Sequence, residues 1–303
     1  MMTLALETEE LGRRYMLSWA LRHCNLRIPK GAVAGLVGPN AAGKSTLLRL
    51  AAGITTPSEG SVKVFGEVVD PNAASFLSRV AYLDQHRPLY KRMRVGDILK
   101  WGRELNATWD DATARRNLGD LDISLESKVA MLSEGQQAQV ALALCMAKSS
   151  PLLLLDEPFA SLDPLARQGV AQLLLDSVAD KGTTVLISSH VVSELEPICD
   201  YLVILSRSHV QVSAPTETLL ATHRVLIGPA SDAPISSLAV ISSKTAGRQL
   251  TLLVEGNPGP LGNGWQVLKP SLEEIVLAYL AKPSVTSAEG ELVASDQNEG
   301  ESS

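Results

Sequence analysis

The chain has 303 residues, 45% of them hydrophobic and 20% charged, which is enough apolar mass for one main domain and a smaller one. Its net charge of −6 is concentrated after Pro283, where Glu289, Glu291, Asp296, Glu299 and Glu301 stand without Lys or Arg; the remaining body is nearly neutral and no nucleic-acid partner is expected. No run approaches the roughly 18 consecutive apolar residues of a membrane span, so the chain is expected to be soluble, or peripheral through a partner.

In chain order, Leu4–Leu11, Leu21–Ile28 and Val33–Val37 read as strands, the last ending at a glycine-rich turn. Lys44 to Ala52 supplies a helix with Leu47, Leu48 and Leu50 as buried candidates and Gly53 as its stop. Ser58-Glu59-Gly60 reads as a turn, followed by short strands at Ser61–Phe65 and Val80–Leu83. A helical subdomain is expected over about 90–148, including the Ala/Leu run from Val140 to Ala147. Strand Leu152–Leu155, a helix near Pro164–Ala179, strand Thr184–Ser188, a helix near Val191–Cys199 and strand Tyr201–Leu205 follow. That alternation predicts an α/β fold with a mostly parallel central sheet covered on both faces. A small mixed region is expected over 207–282, with strand-like Val225–Ile227 and Leu250–Val254 and a helix at Ser271–Leu280. The Ser- and Glu-rich residues 283–303 read as a disordered acidic tail. Cys24, Cys145 and Cys199 are odd in number and far apart, and no secretory signal precedes them, which fits free thiols packed as core filler in a reducing compartment.

The chemistry begins at Gly38-Pro39-Asn40-Ala41-Ala42-Gly43-Lys44-Ser45-Thr46, a G-x-x-x-x-G-K-[ST] loop set after a strand and before a helix. Such a loop wraps backbone N–H groups around phosphates and adds the positive end of the following helix. Lys44 is expected to reach the outer phosphates of ATP and Ser45 to ligate Mg²⁺. Leu152–Leu155 then ends in Asp156-Glu157. Asp156 fits the carboxylate of the Mg²⁺ shell, and Glu157 is placed to polarise an attacking water as general base.

With these elements in order, the chain resembles the nucleotide-binding subunit of an ATP-binding cassette transporter over residues 4 to 206. The resemblance implies a cassette fold with an antiparallel N-terminal β part and a helical signature subdomain. Leu132-Ser133-Glu134-Gly135-Gln136 looks like the signature loop, which implies that Ser133, Gly135 and Gln136 contact ATP held by the opposite subunit of a homo- or heterodimer. Gln85 resembles the glutamine that touches Mg²⁺ and water. Ser161-Leu162-Asp163 resembles the dimer-contact loop, and His190 the switch histidine at the γ-phosphate. Tyr15 stands where the family places an aromatic ring on adenine, with Trp19 as the competing candidate. An integral membrane permease is the implied partner, with the chain cytoplasmic and peripheral at the inner face of the membrane.

Two residues depart from the family pattern. Ala41 stands where glycine is common; if that position needs a positive φ, alanine costs about 1 to 2 kcal/mol. Glu134 stands where the signature has glycine, and only a solvent-facing carboxylate is compatible with phosphate nearby. The run Ser188–Glu196 and the Pro270–Glu274 segment resemble exporters whose permease is a separate chain. A soluble, non-transport cassette ATPase acting on ribosomes or DNA is the alternative; one cassette, no heptad run and a neutral body weigh against it.

Overall fold

The computed structural model describes residues 3–106, 108–230 and 238–281; the acidic tail expected over 283–303 lies outside them. Strands β1 (Leu4–Tyr15) and β2 (Ser18–Pro29) form a long hairpin, followed by β3 (Val33–Val37) and α1 (Lys44–Ala51). Next come β4 (Glu59–Val64), β5 (Glu67–Val68), α2 (Ala74–Arg79) and β6 (Val80–Leu83). Helices α3 (Val95–Leu105), α4 (Asp111–Gly119) and α5 (Glu134–Ala147) form the helical part. The chain then alternates through β7 (Leu152–Asp156), α6 (Pro164–Lys181), β8 (Thr184–Ser189), α7 (Val192–Leu195) and β9 (Tyr201–Ser206). It finishes with β10 (His209–Pro215), α8 (Thr216–Thr222), β11 (His223–Pro229), β12 (Ala239–Ala246), β13 (Gln249–Glu255), β14 (Gln266–Leu268) and α9 (Leu272–Ala281).

Three sheets result. The N-terminal one has the order β2-β1-β4-β5, with every pairing antiparallel. The central one runs β10-β9-β3-β8-β7-β6, parallel except for the β9–β10 edge pair. Its interior strands β3, β7, β8 and β9 are buried at every position, as strands covered on both faces must be. One apolar cluster joins Leu36, Leu47, Leu48, Leu154 and Leu186 beneath α1 with the N-terminal sheet; another joins Leu153, Leu155, Ile187 and Leu202 with α5, α6 and α9 on the opposite face. The third sheet, β12-β13-β11-β14, is antiparallel.

Two expectations shift. The turn expected at Ser58–Gly60 is already strand: β4 starts at Glu59, and Gly60 takes φ 70° where a Cβ would meet the Glu9 and Glu10 carbonyls at 2.3 Å. The helix expected over Val191–Cys199 is regular only at Val192–Leu195, the rest being bent so that the Asp200 carboxylate can accept from Val33 N at 3.0 Å. Among the described residues, no helix is long and apolar enough to cross a membrane. All three cysteines are free and buried, and burial pushes the Cys145 thiol up to about 12.

Candidate functional site

The loop from Gly38 to Gly43 leaves β3 through geometry that restricts its residues. A Cβ at Gly38 would lie 2.2 Å from the Leu205 carbonyl of β9, and one at Gly43, where φ is 109°, would lie 2.4 Å from the Ala20 carbonyl. Both positions therefore demand glycine, for close approach and for backbone freedom. Ala41 also takes a left-handed conformation, φ 63°, so the cost of about 1 to 2 kcal/mol expected for a Cβ there is present. Lys44 opens α1, is buried, and its Nζ donates to the carbonyls of Gly38 at 2.7 Å and Pro39 at 3.4 Å. Its ammonium is thereby drawn back over the loop, at the same end of α1 as the helix's free N–H groups.

The end of β7 faces this loop. Asp156 is fully buried and Glu157 nearly so. Ser188, at the corresponding level of the neighbouring strand β8, donates from Oγ to Asp156 Oδ1 at 2.6 Å and accepts from Glu157 N at 2.9 Å. One hydroxyl thus fixes both acidic residues. Ser188 carried no role in the sequence reading; its only signal is a serine pair inside an otherwise apolar strand. Glu157 lies between two cationic or protonatable groups, with Oε1 3.6 Å from Lys44 Nζ and Oε2 3.0 Å from His190 Nδ1. Because a carboxylate only accepts, the second contact places a proton on Nδ1 of His190.

Asp156 Oδ2 is buried and has no hydrogen-bond partner among the described residues. A buried carboxylate oxygen without a partner is costly, whereas a cation satisfies it. The donor set, a carboxylate oxygen with a hydroxyl at Ser45 across the loop, is the hard oxygen chemistry that Mg²⁺ takes.

Gln85 is exposed just beyond β6 and is set by its neighbour. Asp84 accepts from Arg49 Nη2 at 3.0 Å, Tyr82 OH at 3.1 Å and His86 N at 2.9 Å. Burial works to raise this carboxyl, but the His86 amide, Arg49 and Tyr82 outweigh it and hold it below the usual carboxylate range. Arg49 belongs to α1, so the helix that opens at Lys44 also anchors the segment carrying Gln85.

A cleft of about 530 Å³ collects Tyr15, Ser18, Trp19, Ala20, the loop from Pro39 to Thr46, Gln85 and Glu157. Both aromatic candidates therefore face it. Tyr15 is 43% exposed and carries Arg13 against its ring at 4.8 Å; Trp19 is flanked by Arg14 and Arg22 at 5.9 and 5.8 Å. Tyr15 has the freer surface for a stacked base.

Ser133, Gly135 and Gln136 are not part of that cleft. They begin α5, where Ser133 Oγ accepts from Gln136 N at 3.1 Å and Gln136 Oε1 accepts from Ser133 N at 3.0 Å, a reciprocal cap of the helix start. Glu134 in the first turn is exposed, as a solvent-facing carboxylate requires. Gly135 packs on the Ser161 carbonyl, which a Cβ would approach to 3.1 Å. Asp163 caps α6 by accepting from Ala166 N at 2.9 Å.

A phosphate-binding loop on a mostly parallel sheet, facing an Asp-Glu pair across the same cleft, defines a P-loop nucleoside triphosphatase. The family model for "ABC transporter" matches residues 21–160. The thiamine import ATP-binding protein ThiQ of Vibrio parahaemolyticus is 32% identical over 219 residues, 69% of this chain and 92% of ThiQ. The bacitracin transport ATP-binding protein BcrA of Enterococcus faecalis is 28% identical over 210 residues, 69% of this chain and 68% of BcrA. The sulfate/thiosulfate import protein CysA of Mesostigma viride is 32% identical, and the chain spans 62% of its length. A solved ATP-binding subunit of an ABC transporter superposes with TM-score 0.66 at 26% identity, over 72% of this chain and 92% of the other. The chain belongs to the ABC transporter family, as an ATP-binding and ATP-hydrolysing subunit.

Proposed function

We propose that the chain works as a pair with a second ATP-binding subunit beneath a separate permease, holding Mg·ATP between the loop of one subunit and the start of α5 of the other. The observation that carries this is the separation of the two halves of the site. Lys44 and Glu157 line one cleft, with His190 bonded to Glu157, whereas Ser133 and Gly135 head α5 outside it, which favours a second subunit as the source of the nucleotide that these two groups would contact. The dimeric cassette MJ0796, solved with ADP and Pi, shares the fold with TM-score 0.63.

In this reading Lys44 and the loop amides hold the phosphates, and Tyr15 stacks on the base. Glu157 takes the proton of the attacking water while His190 orients its carboxylate. Asp156, Ser45 and Gln85 would hold Mg²⁺, which when bound neutralises charge developing on the phosphates. Replacing Lys44 with Ala should lower ATP binding or hydrolysis severely while the fold survives; parental ATPase activity would remove the loop from this role.

An apolar groove of about 510 Å³ between the central sheet and the helical part, lined among others by Leu89, Tyr90, Trp101 and Trp109 and continuous with the segment after Gln85, supports a permease contact there. Its exposed rings, Tyr90 at 65% and Trp101 at 47%, are surface that a partner would cover. That contact makes the chain peripheral at the cytoplasmic face of the membrane.

Export is the direction we favour, on the resemblance of the Ser188–Glu196 run and of the Pro270–Glu274 start of α9 to exporter cassettes, with BcrA among the relatives. Import is the second reading, favoured by the 32% identity to ThiQ. Co-purifying the permease and following substrate flux in inverted vesicles separates them: uptake into inverted vesicles supports export, and ATP-driven release from loaded ones supports import.

A further inference from the structure

We infer that Arg87 is a positioning residue for Glu157, its guanidinium tying the segment that follows Gln85 to the backbone turn that carries the base. The inference rests on Glu157 acting as the base, as proposed above.

Arg87 sits in a tight turn in which its own N–H donates to the Asp84 carbonyl at 3.0 Å and Leu89 N donates to the Arg87 carbonyl at 2.7 Å. Its φ is 46°, and that of Glu157 is 48°. Two non-glycine residues in the left-handed region cost about 1 to 3 kcal/mol each and persist only where their surroundings hold them. The side chain of one holds the other. Arg87 Nη2 donates to the Glu157 carbonyl at 3.1 Å and to the Ala160 carbonyl at 2.6 Å. The Glu157 carbonyl also accepts from Ala160 N at 3.2 Å, so the same nitrogen braces both ends of the turn after β7.

The guanidinium is half-buried; burial pulls its pKa down and the Glu134 carboxylate at the start of α5 opposes that. Arg87 also borders the apolar groove beside Pro88 and Leu89. A displacement of that turn therefore reaches the Glu157 backbone through one side chain. The bond is to backbone, so the expected effect is on where Glu157 points and not on whether ATP binds.

The test compares Arg87→Gln, Arg87→Lys and Glu157→Gln in the full chain, with Mg·ATP as substrate. Arg87→Gln is expected to lower kcat at least about fivefold with KM for ATP within about twofold of the parent, the pattern of an interaction realised after binding. Arg87→Lys should fall between them, because an ammonium still donates but lacks the planar reach to both carbonyls. Parental kcat in Arg87→Gln, beside an inactive Glu157→Gln, would overturn the inference, and so would a raised KM with kcat unchanged. Should Arg87→Gln fail to fold, Arg87→Lys decides: kcat at least about twofold low at unchanged KM carries it, and parental kcat overturns it. Parental turnover in Glu157→Gln removes the base itself and the inference with it, a failure visible without any Arg87 variant.

Discussion

His190 Nδ1 lies 3.0 Å from Glu157 Oε2, a ring 55% exposed set against a carboxylate 8% exposed. The histidine leaves the end of β8 and the glutamate leaves the end of β7, and the parallel pairing of those strands brings them level. In the proposed mechanism that contact orients the Glu157 carboxylate. His190→Ala is expected to lower kcat for ATP hydrolysis about tenfold or more, a part of the roughly 10² to 10⁴ that the base it orients contributes. Binding of a fluorescent ATP analogue should change little, since Lys44 and the loop amides stay. Steady-state turnover at the parental rate would show that Glu157 needs no such support.

Ala41 carries φ 63° in the loop. Ala41→Gly removes a Cβ cost of about 1 to 2 kcal/mol and adds about 0.4 to 1 kcal/mol of unfolded-chain entropy. The balance is a stabilisation of about 0 to 1.6 kcal/mol, expected as a higher urea midpoint at unchanged slope. A lower midpoint would mean that the alanine methyl makes packing contacts worth more than the strain.

Asp110 caps α4, accepting from Thr113 N at 2.9 Å and Thr113 Oγ1 at 2.7 Å, with Lys181 Nζ at 3.0 Å. The Thr113 amide and hydroxyl, with Lys181, hold its carboxyl at about 2, against an ordinary 3.8. Since the folded value is the lower one, the stabilisation is complete above about pH 4 and is lost as pH falls toward 2. Asp110→Ala should cost about 1 kcal/mol at neutral pH. The gap between parent and variant should close between about pH 4 and pH 2; a constant gap would assign the loss to packing.

The central sheet was legible because Val33–Val37, Leu152–Leu155 and Thr184–Ser188 are short apolar runs separated by helical stretches, the pattern that buried parallel strands give. The loop residues were legible because a phosphate-binding turn needs glycine at Gly38 and Gly43 and leaves little freedom elsewhere. β10, β12 and β14 were not, since β10 is buried at no position, β12 only at Ile241 and β14 is exposed throughout; edge strands with a solvent face carry no such run. Ser188 and Arg87 escaped for a different reason. Each acts through a backbone atom or carboxylate some 30 or 70 residues away, and no local spacing encodes a contact of that range.

The most direct test of the account is size-exclusion chromatography of the Glu157→Gln variant with Mg·ATP, followed by its rate of phosphate release. The amide keeps the shape of the side chain but cannot take a proton from water. The account expects a dimer that persists with ATP, reverts to monomer without it, and releases phosphate at least about 10²-fold more slowly than the parent. Release of phosphate at the parental rate would contradict it, since the group facing Lys44 and His190 would then not be the base.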